Sequence, residues 1–216
     1  MDIVVIGEGG HGKVVKELIH SRGKDRIIGL LDDRYNHLQL VDDVYTGPIS
    51  SAHFLIDRMK ELKFVIAIGN NAIRKSIVNK LGFPRESYIS LIHETAIISK
   101  SATIGHGTVV MAHTIINADA VIGDHAIINS GAIIEHDARM GDYVHAAPKS
   151  LLTGAVRAEE GAMIGAGATI IPGKNIGDWA VIGAGATVIS DIPSHMTAVG
   201  TPARLLMKIR EGCETT

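Results

Sequence analysis

Stepping by six from Ile92 returns an apolar residue every time: Ile92, Ile98, Ile104, Val110, Ile116, Ile122, Ile128, Ile134, Met140, Ala146, Leu152, Ala158, Ile164, Ile170, Ile176, Ile182 and Val188. No insertion or deletion breaks the register. A second small column follows four residues behind, among others at Ala96, Ala102, Ala120, Ala126, Ala132, Ala162, Ala168, Ala180 and Ala186. A period of six is neither the helical 3.6 nor simple strand alternation; it belongs to short strands joined by tight corners, as in a parallel β-helix. Three hexapeptides close one triangular coil, so residues 18 apart stack at the strand spacing of ~4.8 Å. Glycines one position after the anchor (Gly105, Gly123, Gly141, Gly165, Gly177, Gly183) are expected to let the backbone turn.

Composition agrees with thin aliphatic layers. Hydrophobic residues make up 46% of the 216, but aromatics only 4%, and there are 24 glycines. The net charge of −2, with acids and bases interspersed, leaves no basic footprint for nucleic acid. The single cysteine, Cys213, lies in the polar tail, so no disulfide forms within one chain. The opening "MDIVVIGEGG" is broken by glycine too early for a signal peptide, and no apolar run reaches the roughly 18 residues of a membrane span. A soluble cytoplasmic protein is expected.

Residues 1–88 read differently. "DIVVIGEGGHGKVVKELI" is strand, glycine turn, helix; "RIIGLLDD" and "KFVIAIGNN" supply further strands of a small parallel α/β unit. Gly7, Gly9 and Gly12 satisfy G-x-G-x-x-G after a strand, and Asp32 ends the next strand. This is the dinucleotide fingerprint in context, although the glycines also suit a purely structural tight turn. Only about ninety residues precede the repeat, room for one mononucleotide half, so a nucleotide sugar fits better than NAD. Three strand ends, at Gly9–His11, Asp32–Asp33 and Gly69–Asn70, are expected at one sheet edge. The repeat occupies 89–200, and "GTPARLLMKIREG" in the remaining 201–216 reads as a short C-terminal helix and tail, with Leu205, Leu206 and Ile209 on one face.

One segment of the repeat, "IIEHDARMGD", carries ionisable groups side by side. Ile134 points inward, so Glu135, His136 and Asp137 fall at a corner. Eighteen residues after His136 comes Gly154, which leaves a notch beside the ring and a backbone N–H within reach. A general base next to an oxyanion donor fits that pairing. Pro148, Ala166 and Ala184 are also 18 apart and line another corner with small groups, suited either to tight turns or to a long thin ligand arm.

The segments "IGEGGHGKVV", "LLDD", "AIGNNAIRK", "LIHETAIIS", "NSGAIIEHDARMGDYVHAAP" and "VGTPAR" run in order through nearly the whole chain. Together they resemble the bacterial sugar acetyltransferase family that includes sialic acid O-acetyltransferases and UDP-4-amino-sugar N-acetyltransferases. The resemblance implies a Rossmann-like half-domain followed by a left-handed β-helix, and a homotrimer with active sites between subunits. It implies acetyl-CoA as donor, with contacts at His145, Gly154, Ala166 and Ala184. It implies a nucleotide sugar, UDP-linked, held by Gly9, Gly10, His11, Asp32, Asp33, Gly69 and Asn70. The family's base falls on His136 and its acid on Asp137, where several relatives carry the longer Glu.

The expected chemistry is direct acetyl transfer, with no metal and no acyl-cysteine. No two histidines of the repeat stand five positions apart, the ligand spacing of the zinc-dependent carbonic anhydrases built on similar coils, which leaves only a three-histidine site assembled across subunits. The competing readings are O-acetylation of sialic acid and a non-catalytic trimeric binding protein.

Overall fold

The computed structural model describes residues 1–59 and 61–206. The chain opens with β1 (Asp2–Ile6), α1 (Gly10–Ser21), β2 (Arg26–Leu31), β3 (Gln39–Val41), β4 (Val44–Gly47), α2 (Ser51–Arg58), β5 (Lys63–Ile66) and α3 (Asn71–Leu81). The sheet order is β3-β4-β2-β1-β5, parallel except for β3. Ile3, Val4, Val5 and Ile6 are all fully buried, as an apolar run covered on both faces must be. Ala52 and Leu55 of α2 and Ile77 and Leu81 of α3 pack on one face. On the other face Val15, Leu18 and Ile19 of α1 pack together with Leu91, Val109 and Met111 of the repeat.

The β3–β4 hairpin has a signature that hydrophobic pattern misses. All three residues of β3 are exposed, and the turn rests on Asp42 and Asp43 at φ 48 and 62, values that short polar side chains tolerate.

From Leu91–Ile92 onward, two-residue strands recur every six residues and stack into three parallel sheets, the faces of a left-handed β-helix. The outward residues of the first face are Leu91, Val109, Ile127, His145, Met163 and Val181. Those of the second are Ile97, Ile115, Ile133, Leu151, Thr169 and Thr187. The third carries Thr103, Val121, Arg139, Arg157 and Asn175. The inward anchors from Val110 to Val188 are buried, with Ala120, Ala126, Ala132, Ala138, Ala162 and Ala168 completely covered between them.

The corners turn by a different device from the one expected of the glycines. From Ile104 to Ile182, the residue three after each anchor adopts a left-handed conformation, whether glycine (Gly107, Gly131, Gly161) or not (His113, Asp119, Asp137). From His125 to Gly185 its N–H donates to a carbonyl of the coil below, as in Asp137 N to Ala118 O at 3.0 Å and Ala155 N to His136 O at 2.9 Å. The glycine one after the anchor serves close stacking instead: a Cβ on Gly165 would lie 2.5 Å from Ala184 N of the next coil.

The expected C-terminal helix is corrected over the described residues. Arg204–Leu205 is a strand antiparallel to Thr197–Val199, and it closes the edge of the first face with backbone hydrogen bonds that a helix cannot give. Residues 207–216, with Ile209 and Cys213, lie outside the described residues.

Candidate active site

Because β1, β2 and β5 are parallel neighbours, the turns after them meet at one sheet edge, where the sequence-selected residues gather. The glycines divide into two kinds. Gly7 has φ +101, and a Cβ on Gly12 would strike the Gly7 carbonyl, so these two shape the turn and the close approach of α1. A Cβ on Gly9 or Gly10 would meet nothing within 4 Å. Their space opens above the start of α1, whose N-cap Gly9 supplies no side-chain cap, leaving helix N–H groups for an anionic ligand.

Asp32 accepts from Glu8 N at 2.8 Å and from Arg34 N at 3.1 Å, and Asp33 accepts from Ile49 N at 3.0 Å. Both acids therefore hold the rim of the edge in shape. Glu8 adds a bond from Tyr35 Oη and an ion pair with Lys16. Asn70 caps α3, accepting from Ile73 N at 3.0 Å.

His11 faces Gly69, and its Nε2 is buried with no hydrogen-bond partner among the described residues, an orphan that a ligand atom can satisfy. Burial first, then the neighbouring His145 and Arg74, pushes His11 down to about 4. His145 stands on the first face directly beneath the same edge. Its Nδ1 lies 3.3 Å from Gly69 O and its Nε2 3.2 Å from Asn129 Nδ2. A carbonyl only accepts, so Nδ1 carries the proton and Nε2 accepts from the Asn129 amide. Burial, with Arg74 second, lowers His145 to about 4 and keeps it neutral. A groove leads on from Gly69 and Asn70 along this face, walled by Met163, Trp179 and Val181.

The second cluster sits at the corner between the second and third faces. His136 Nδ1 lies 2.8 Å from Asp137 Oδ2, so the shorter acid does reach the ring. That bond raises the pKa of His136, outweighing desolvation, and Glu135 adds a smaller push in the same direction. A Cβ on Gly154 would fall 2.7 Å from both Cε1 and Nε2 of His136, so the notch inferred from the 18-residue spacing is there. The Gly154 N–H is given to no acceptor among the described residues. Ala166 and Ala184, with Pro148, are exposed at the corner between the first and second faces.

One chain thus brings together the sheet-edge residues with His145, and separately His136, Asp137 and Gly154. It does not bring the two clusters together: they occupy different sides of the triangular prism. A larger hollow beside α1, lined by Lys13, Lys16, His20 and Arg26, belongs to neither. Among the described residues no group of three or more His, Cys, Asp or Glu is gathered as a metal-binding set. No described helix is long and apolar enough to cross a membrane.

Sequence reasoning missed Arg74, Asn71 and Asn129. The buried arginine is the one with a signal, a cation on the inward side of a helix whose other inward residues are Asn71, Ile77 and Leu81.

A Rossmann-like half-domain on a hexapeptide β-helix, with a histidine–acid pair over a glycine notch, defines a hexapeptide-repeat acyltransferase. Residues 2–81 match the PglD N-terminal domain family. The chain is 46% identical over 111 residues to UDP-N-acetylbacillosamine N-acetyltransferase of Bacillus subtilis (strain 168), a match spanning 51% of each protein. It is 31% identical over 179 residues to GDP-perosamine N-acetyltransferase of Escherichia coli O157:H7, covering 77% of this chain and 81% of that one. The crystal structure of PerB from Caulobacter crescentus in complex with CoA and GDP-perosamine superposes with a TM-score of 0.86 at 36% identity, over 96% of this chain and 98% of that one. The chain belongs to this family of hexapeptide-repeat sugar acetyltransferases.

Proposed function

We propose that the protein transfers the acetyl group of acetyl-CoA to the amino group of a nucleotide-activated amino sugar, of the UDP-4-amino-4,6-dideoxy type, in the cytoplasm and for glycan or exopolysaccharide synthesis. The observation that carries the reading is His136, held by Asp137 at Nδ1 with Nε2 over the Gly154 notch. The sugar amine attacks the thioester carbonyl, a C–N bond forms, and His136 Nε2 takes the proton the nitrogen sheds. The Gly154 N–H donates to the carbonyl oxygen as it gains charge. The C–S bond then breaks and the proton passes to the departing thiolate, giving CoA and the N-acetyl sugar. Asp137 fixes the tautomer and stabilises the imidazolium.

The open space at Gly9 and Gly10 and the orphan Nε2 of His11 suit a nucleotide diphosphate, with Gly69, Asn70 and the rim acids Asp32 and Asp33 around it. His145, Ala166 and Ala184 are assigned to acetyl-CoA. The Bacillus relative, named for a UDP sugar, favours UDP over GDP.

The two clusters meet in a homotrimer. Ile97, Ile115, Ile133 and Leu151 make an outward apolar ladder on the second face, with Ile97 67% exposed. Turning that face to a threefold axis buries the ladder. It also apposes the His136 corner of each subunit to the Ala166–Ala184 corner of the next, beside the neighbour's His145.

The test is free-thiol release from acetyl-CoA with a panel of UDP-4-amino sugars, GDP-amino sugars and sialic acid. The expected result is release with a UDP-amino sugar, lost in His136→Ala while nucleotide-sugar binding persists. Release with sialic acid alone makes the protein an O-acetyltransferase; no release with any acceptor makes it a binding protein.

A further inference from the structure

Arg74 of α3 is 1% exposed, yet among the described residues no carboxylate bonds to it. Its five N–H groups all go to neutral oxygens. Nε donates to His125 O at 2.8 Å; Nη1 to Ile68 O at 2.8 Å and Gly69 O at 3.3 Å; Nη2 to Asn71 Oδ1 at 3.0 Å and Tyr143 O at 2.7 Å. Asn71 Nδ2 then reaches Gly161 O at 3.1 Å and Ala162 O at 3.2 Å. His125, Tyr143 and Gly161 are the same corner position on three successive coils, so the pair climbs the β-helix by its carbonyl ladder. A buried cation without a counter-ion is costly, and burial lowers Arg74 to about 10. Simple docking of α3 on the coils needs only apolar contact, so the charge calls for another role.

That role lies at Gly69. Its carbonyl accepts from Arg74 on one side and from His145 Nδ1 on the other. His145 Nε2 in turn accepts from Asn129, whose Oδ1 takes Ser130 N at 2.9 Å. We propose that Arg74 is a positioning residue: by fixing the Ile68–Gly69 turn to two coils of the β-helix, it holds Gly69 O on His145 and so sets the Nδ1–H tautomer and ring direction that His145 presents to acetyl-CoA. This rests on the assignment of His145 to acetyl-CoA above. One guanidinium thereby fixes the nucleotide-sugar edge and the acetyl-CoA histidine in a common frame, and no single ammonium group offers five donors in that plane.

The experiment compares wild type with Arg74→Lys and Arg74→Ala by imidazole ¹⁵N spectra, with the His145 signal assigned through His145→Gln, and by steady-state CoA release. Wild type is expected to show the Nδ1–H tautomer. Arg74→Lys is expected to show a tautomer mixture and to lose ~10–100-fold in kcat/KM for acetyl-CoA, the scale of a misplacement near 1 Å. Millimolar guanidinium is expected to restore part of the activity of Arg74→Ala. The proposal is overturned by an Nε2–H tautomer in wild type, a reading that needs no variant to fold. It is equally overturned by a folded Arg74→Lys with an unchanged His145 signal and unchanged kcat/KM. Should wild type release no CoA with any acceptor, the acetyltransferase reading falls, while the spectra still decide the link from Arg74 to His145.

Discussion

Adding one methyl group at Gly154 separates stability from chemistry. The new Cβ of Gly154→Ala lies 2.7 Å from Cε1 and Nε2 of His136, and ordinary contact begins near 3.4 Å, so the ring must retreat by roughly 0.7 Å. The atoms it meets are the far end of a side chain that is 63% exposed, so the retreat strains little. Gly154 is not among the residues with positive φ, so alanine fits its backbone. Gly→Ala at a compatible site even stabilises by ~0.4–1 kcal/mol, through lower chain entropy in the unfolded state. The substituted protein should therefore melt within a few degrees of wild type. Its activity should fall ~100-fold, since displacing the base by most of an ångström is enough for that, and the methyl also crowds the oxyanion position. Thiol release and a thermal melt on one preparation measure both quantities. Full activity in Gly154→Ala would falsify the notch as the reaction site; a large drop in melting temperature would show that the glycine serves packing instead.

Other outcomes follow from the same geometry. The base must be neutral and Asp137 raises the pKa of His136, so kcat/KM should be lost as pH falls through an inflection above 6.5. In Asp137→Asn, which keeps a residue tolerant of the left-handed turn, that inflection should move down and kcat should drop ~100-fold or more; an unmoved inflection would assign the titration to another group. His125 is stacked on Tyr143 at 5.4 Å and edge-on to Tyr88 at 4.6 Å, and burial lowers it to about 4. Its unfolded form takes up a proton near 6.5 that the folded form refuses, so stability should decline as pH drops from 6.5 toward 4. Replacing it in His125→Phe should flatten part of that decline in urea midpoints, and an unchanged slope would count against a neutral buried ring. Gly12→Ala drives a Cβ into the Gly7 carbonyl and should cost ~1–3 kcal/mol in urea unfolding, whereas Gly9→Ala, facing open space, should change stability by less than ~1 kcal/mol while weakening nucleotide-sugar binding.

The repeat was legible because each coil reuses one solution. An apolar anchor every six residues can only point inward if every third hexapeptide lies on the same face, and the same spacing puts Gly154 beside His136. The parallel strands of the first domain were legible for a similar reason: Ile3 to Ile6 and Phe64 to Ile66 are buried on both sides and read as continuous apolar runs. What escaped was held by backbone rather than pattern. The β3–β4 hairpin depends on two aspartates with positive φ, and the last strand, Arg204–Leu205, forms because an open sheet edge offers it hydrogen bonds. Helical spacing at Leu205 and Leu206 gave no sign of that edge. Arg74 bonds mostly to main-chain carbonyls, which carry no residue identity, so its partners at His125 and Tyr143 left no trace in the sequence.

The sharpest test of the account is complementation between two inactive variants. His136→Ala lacks the base, and Gly10→Phe places its ring from a Cβ that meets nothing within 4 Å, into the open space above α1, to block the nucleotide-sugar edge. Each variant alone should release no CoA. If His136 of one subunit serves the sugar held by its neighbour, subunits co-refolded in equal amounts should regain about a quarter of wild-type activity, the random fraction of interfaces with both halves intact. If mixing restores nothing while each variant folds and assembles, the base and the sugar belong to the same chain, and the composite site is wrong.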